Sequence, residues 1–252
     1  MIPKIINERL RLTRVIVLFG VLFLSSCKNK MDQSSKNILT VNEVIETSLN
    51  TIGDKATREK VKNLVSKANC VSPNGNYTTE IQTATNGYSY FKQVFSYKPE
   101  SFEAVIENKT SGYSIGDSLK PLSKESLSVI RGHEFQNIVL EVNQRFHDFE
   151  LIENEEKDGI NNYKLKAKDE LGKTNFIFFD EKTRLLTEIH FPNPSDENEM
   201  IKTKFSNWKK TNNLQLPYHV EINQSGKLYT FDYTKLILNS PDFKYKNVKN
   251  EN

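Results

Sequence analysis

The chain has 252 residues and a formal net charge of +3, with 37% apolar and 27% charged side chains. Residues 1–26 carry four basic residues against one acid, so the remainder is formally neutral with its lysines interspersed among acids, and a nucleic-acid partner, which needs a basic face, is excluded. Fifteen Phe, ten Tyr and one Trp foretell an aromatic core, while two cysteines rule out a disulfide framework.

At the N-terminus Lys4, Arg9, Arg11 and Arg14 precede an apolar run from Val15 to Leu24, which ends in Leu24-Ser25-Ser26-Cys27. A spanning helix needs about 20 apolar residues, so this shorter run fits a signal-peptide core. The tetrapeptide resembles the lipobox of bacterial lipoproteins, which implies cleavage before Cys27 and lipid on its thiol. An ordinary secretory signal and a short uncleaved anchor are the competing readings. Residues 1–26 are thus read as signal peptide and 27–39 as lipidated cysteine plus tether, because Lys28–Asn37 is polar and without apolar periodicity. By flexible-coil scaling that tether spans about 15–20 Å. The expected address is the outer membrane, with the protein facing the periplasm.

One domain is expected over residues 40–245, followed by a polar tail at 246–252. Thr40 can cap a helix in which Glu43 completes a capping box and Val41, Val44, Ile45, Leu49 and Ile52 fall at helical spacing. Gly53 stops it, and Asp54 can start a shorter helix to about Lys62. Strands are expected at Leu64–Val71, Tyr77–Thr85, Tyr88–Tyr97 and Ser101–Asn108, with Asn86-Gly87 as a hairpin signal. A helical segment follows from about Ser123 to Phe146, broken at Gly132, whose second part puts Phe135, Ile138, Val139, Val142 and Phe146 on one stripe. Strands then return at Phe149–Asn154, Asn161–Lys168, Thr174–Asp180, Arg184–Phe191, Met200–Trp208, Leu214–Ile222 and Lys227–Leu238. Pro217 removes a ladder donor, so its strand is expected at an edge or with a bulge. Thr174–Asp180 is apolar on both faces, with Phe176 and Phe178 on one and Ile177 and Phe179 on the other. The fold class is mainly β: one curved antiparallel sheet of about eleven strands forming an open half-barrel, its concave side covered by the N-terminal and inserted helices.

Val41-Asn42-Glu43-Val44-Ile45 leading to Thr51-Ile52-Gly53, two meanders around a helical insertion, Gly112-Tyr113-Ser114-Ile115-Gly116, and the stretch Asn212 to Ile222 with its apolar-x-apolar-Pro strand together resemble the LolA/LolB-like superfamily of lipoprotein carriers. The resemblance spans most of residues 40–245 as a pattern. It implies a cavity that holds a lipid or acyl chain without covalent chemistry; Phe176 and Phe178 of the strand apolar on both faces, and Phe135, Ile138 and Val142 of the helical stripe, are the candidate lining residues. The family often has a second glycine after the first helix, where this chain has Asp54. No ligand-contacting residue of the carriers carries over.

Chemistry-bearing motifs are few. His133-Glu134 lacks the second histidine a helical zinc site needs four residues on, since that position is Asn137. His147, His190 and His219 stand apart, so no metal site is expected, nor any cofactor or catalytic residue. Carboxylates at Glu150–Asp158 and Asp196–Glu199 read as solvated turn charge, and Cys70 as an inert strand thiol. Asp117-Ser118-Leu119 resembles an O-glycosylation site of some Gram-negative bacteria. The functional expectation is a membrane-anchored binder of an apolar ligand, with a structural lipoprotein docking an envelope protein partner as the alternative.

Overall fold

Thr40 opens the first helix, α1 (Val41–Ile52), as its sequence requires: its hydroxyl accepts from the Glu43 N–H at 3.3 Å and the Glu43 carboxylate accepts from the Thr40 N–H at 2.7 Å. The computed structural model describes residues 39–194 and 196–246; the signal segment, Cys27 and the tether from Lys28 to Asn37 lie outside the described residues. Val44, Ile45, Leu49 and Ile52 are the buried stripe of α1. Gly53 ends it against Leu214, so close that a Cβ there would lie 2.4 Å from the Leu214 Cδ2. Asp54, standing where the carrier pattern often has glycine, caps a short α2 (Lys55–Glu59) by accepting from the Thr57 N–H at 2.8 Å.

The first meander follows as β1 (Asn63–Ser72), β2 (Gly75–Ala84), β3 (Ser89–Phe95), β4 (Ser101–Asn108), β5 (Ser111–Ile115) and β6 (Lys120–Pro121). Three helices come next, α3 (Lys124–Gly132), α4 (Phe135–Leu140) and α5 (Val142–Arg145). The second meander is β7 (His147–Lys157), β8 (Ile160–Lys168), β9 (Thr174–Asp180), β10 (Leu186–Asn193), β11 (Asp196–Thr211), β12 (Leu214–Gln224) and β13 (Lys227–Leu238). All thirteen strands form one open antiparallel sheet in the order β6-β5-β4-β3-β2-β1-β13-β12-β11-β10-β9-β8-β7, and it is a curved half-barrel.

That order explains where the helices lie. β6 and β7 follow one another in the chain yet sit at opposite edges of the sheet, so the segment between them must cross the sheet's width. It crosses on the face that α1 also covers, and Phe135, Ile138, Val139 and Val142 join the α1 stripe and the inward residues of the strands in one large core. A smaller cluster of Ile81, Phe91, Ala104 and Ile106 lies beneath Leu127 and Ile130 of α3. On the other face Tyr88 and Val105 are covered by Phe243, where the chain beyond β13 folds back. Tyr88 accepts from the Lys246 N–H at 2.7 Å, so residue 246, expected to start the tail, is docked.

The turns use the residues their geometry needs. Asn212 (φ 46°) and Asn213 (φ 66°), like Ser225 (φ 53°) and Gly226 (φ 72°), adopt successive left-handed conformations, which match the twist of a tight hairpin. The sheet has thirteen strands instead of eleven because β5, with only Tyr113 and Ile115 alternating around Ser114, and the exposed two-residue β6 are too short for the alternation to register. The strand containing Pro217 is an interior strand and not an edge. β12 pairs with β11 along its length, but with β13 only from His219 onward, so Pro217 lies where the second ladder has ended. The missing donor costs nothing there.

Candidate functional site

A cavity of about 550 Å³ separates the helices from the inward face of the sheet. Its floor is built by alternation: Ile189 on β10, Ile201 and Phe205 on β11, Ile222 on β12 and Phe231 on β13 all point the same way. Its roof is the break between α3 and α4, where Gly132 ends one helix and His133, Phe135 and Ile138 face down. At the rim stand Tyr97, Val129 and Leu171, three of the exposed large apolar side chains. The volume falls in the range of small-molecule sites, and polar and charged side chains, among them Arg131, His133, Glu134, Arg145 and Lys173, line it beside the apolar ones.

Those polar groups are distinctive. The His133 ring packs edge-on against Phe91 and Phe231, with centroids 5.6 and 5.9 Å away, and lies 5.7 Å from Phe135. Burial lowers its pKa from 6.5, against the raising effect of a 2.8 Å contact between Nδ1 and the Val129 carbonyl. The side chain is therefore neutral at pH 7. Beside it Arg145 forms a buried ion pair with Glu134 and a 3.4 Å contact with Glu141. Burial works against the Arg145 charge, but the two carboxylates more than offset it and raise its pKa. A second, polar cavity of about 430 Å³ adjoins, and Thr83 and Asn137 line both, their side chains joined by a 3.0 Å hydrogen bond.

The sequence candidates separate into three groups. Phe135 and Ile138 line the cavity; Val142 is buried in the core beneath α5 and does not. Phe176 and Phe178 are on the opposite face of the sheet, which corrects the expected assignment. Their neighbours Ile177 and Phe179 take the inward positions, opposite Ile189 and Leu186. Phe178 is buried outside by the stems of Lys157 and Lys164, whose ammonium groups stand 5.4 and 5.8 Å from its ring, and by His190. The outer layer is thus two lysines and an imidazole, with the Lys157 and Lys164 charges paired to Glu188 and Glu155. Ile201, Ile222 and Phe231 were missed as lining residues, and the signal was present in the alternation of the last three strands.

The remaining motifs have structural partners. His190 and Lys157 bind the Glu188 carboxylate, and His219 lies 2.6 Å from Asp232 and 3.2 Å from Glu221. Among the described residues no group of His, Cys, Asp or Glu has the geometry of a metal site. Glu150, Glu155 and Asp158 pair with Lys166, Lys164 and Lys204, and Glu199 accepts from Asn193 and Ser225. Cys70 is buried, and desolvation pushes its thiol up to about 11, which makes it a poor nucleophile. Ser118 is exposed in the bend after β5.

The pH dependence of stability follows from His133. Its folded pKa is depressed, so below 6.5 the unfolded chain takes up a proton that the folded chain resists, and stability is lost as pH falls through that value. His219, whose pKa is raised despite burial by its two carboxylates, acts with the opposite sign in any variant that retains it. Between about pH 7.5 and about pH 5, wild type should therefore lose more unfolding free energy than His133→Phe. Urea titrations at both pH values measure this; equal losses would contradict a half-buried imidazole kept neutral by desolvation.

No protein-family model matches the sequence, and no curated protein matches it. Solved structures do. A LolA superfamily protein from Nitrosomonas europaea superposes with a TM-score of 0.57 at 12% identity, covering 81% of this chain and 95% of that one. A Vibrio parahaemolyticus domain described as an outer membrane lipoprotein-sorting protein gives 0.56 at 10% identity, covering 80% and 94%. A DUF1329 family protein from Desulfovibrio piger gives 0.53 at 14% identity, also covering 80% and 94%. The fold is LolA-like, and at these identities the likeness establishes the fold alone.

Proposed function

We propose that this chain is a non-enzymatic envelope lipoprotein, anchored through lipid on Cys27 to the periplasmic face of the outer membrane, that shelters an apolar ligand between its sheet and its helices. The ligand class is a lipid or a lipoprotein acyl chain, and the role is lipid or lipoprotein trafficking. The observation that carries the reading is the apolar cavity of about 550 Å³, roofed by a helix break and rimmed by exposed Tyr97, Val129 and Leu171. A hydrocarbon chain seated there takes the exposed Tyr97, Val129 and Leu171 and the apolar surface of the cavity out of water. The LolA-like fold of solved proteins, one of them described as lipoprotein-sorting, supports the same reading.

Uptake of a fluorescent fatty-acyl probe tests it. Ile201→Trp combined with Ile222→Trp fills the floor of the cavity and should weaken uptake about tenfold or more while far-UV circular dichroism stays unchanged. Undiminished uptake by the folded double variant would sink the cavity as the binding site. A stable envelope protein partner recovered by cross-linking, with no probe uptake by wild type, would favour a docking role instead.

The anchor is tested separately. No helix among the described residues is long and apolar enough to cross a membrane, and the segment that carries the lipobox pattern precedes them. Two or more acyl chains at about 0.8 kcal/mol per methylene give lasting attachment, whereas a bare polar tether gives none. Cys27→Ser should abolish palmitate labelling and release the protein from the membrane fraction with its folded domain intact. Continued labelling would overturn the anchor.

A further inference from the structure

His133 is held by a hydrogen bond that fixes its chemistry. A carbonyl oxygen only accepts, so the 2.8 Å contact with the Val129 oxygen places the proton on Nδ1. A neutral ring protonated there has a bare lone pair at Nε2. No donor from the described residues reaches Nε2, and the ring belongs to the roof of the cavity among Phe91, Phe135 and Phe231. The cavity therefore carries a hydrogen-bond acceptor set into an aromatic cage.

The floor carries a second polar group without a partner. Thr203 on β11 is 1% exposed, and its hydroxyl makes no hydrogen bond. Its register partners are Ile189 and Ile222, so it interrupts an otherwise apolar wall of the same cavity. The hydroxyl itself is shielded, and one staggered step about χ1 carries it to another of the three positions around Cβ. Threonine populates more than one such rotamer, and a ligand group able to bond would favour the turn that presents oxygen.

An unbroken hydrocarbon leaves both groups unmet and strips water from them, which works against binding. A chain that bears a hydroxyl donates its one proton to Nε2, and its oxygen can accept from the Thr203 hydroxyl. We propose that the cavity selects hydroxylated acyl chains over unsubstituted ones, with His133 Nε2 as acceptor and the Thr203 hydroxyl as a second partner. This rests on the reading of the cavity as a ligand site.

The test is calorimetric or fluorescence-displacement titration of the purified protein with stearic acid and with a series of hydroxystearic acids that differ only in hydroxyl position. Wild type should bind the best-placed isomer about tenfold more tightly than stearic acid, the worth of roughly one neutral hydrogen bond. Thr203→Val, which keeps the shape, and His133→Phe should each bring that ratio toward one, the hydroxystearic acids losing affinity relative to stearic acid measured on the same variant. Equal affinity of wild type for every isomer and for stearic acid overturns the selectivity and leaves the proposed function standing. A preference that persists in both variants overturns the two residues as its cause. If neither kind of chain binds, the cavity reading itself fails and this inference fails with it.

Discussion

Arg145→Met should destabilise the fold by about 3–5 kcal/mol. The side chains of Arg145 and Glu134 are only 13% and 5% exposed, and removing the guanidinium strands a carboxylate in the roof of the cavity. Glu141, at 28% exposure, reaches water more easily and suffers less. Removing both charges is a different experiment. Arg145→Met combined with Glu134→Leu should recover most of the loss, because an apolar pair of similar volume avoids the desolvation that opposes any buried ion pair. Urea midpoints at pH 7 decide it, and additive losses in the double variant would contradict a paired, buried origin.

Phe135→Ala should cost about 3–5 kcal/mol, the range for truncation of a buried aromatic. Phe135 is fully buried and packs edge-on against Phe231 at 5.2 Å and Phe205 at 6.2 Å, while the His133 ring stands 5.7 Å away. It ties the helix break to two strands of the floor. Its truncation should lower the thermal midpoint and also loosen the His133 cage. A variant as stable as wild type would show that the helices rest on the sheet through other contacts.

The fold was largely legible from local signals, and the exceptions have physical reasons. The capping box at Thr40, the break at Gly132 and the turn residues ahead of β8, β12 and β13 each encode their geometry within a few neighbours. β5 and β6 do not, because they are held by their pairing with β4 and with each other and by little apolar burial. The position of Pro217 was misread for a related cause. Alternation tells which side chains share a face, but it does not tell which neighbour runs out first, and β13 leaves β12 at His219.

The site was legible only in part, and Phe176 and Phe178 show why. A strand with two apolar faces does not announce which one looks inward. The answer came from its neighbours, since Lys164 and Glu188 sit opposite Phe178 while Leu165 and Ile189 sit opposite Ile177. His133 was visible as a failed zinc motif, and its role depends on three rings brought from β3, α4 and β13. Glu134 and Arg145 meet across the break between α4 and α5, so no helical spacing connects them. What sequence showed well was the roof stripe at Phe135 and Ile138; what it could not show was the floor opposite.

Native mass spectrometry of the full chain purified from its own host envelope decides whether the cavity carries a ligand. The expected species is a folded, lipid-modified protein with a noncovalent apolar ligand in stoichiometric amount, lost on collisional activation while the mass at Cys27 stays. Folded protein that carries only its covalent anchor, and that takes up no acyl probe afterwards, would contradict it.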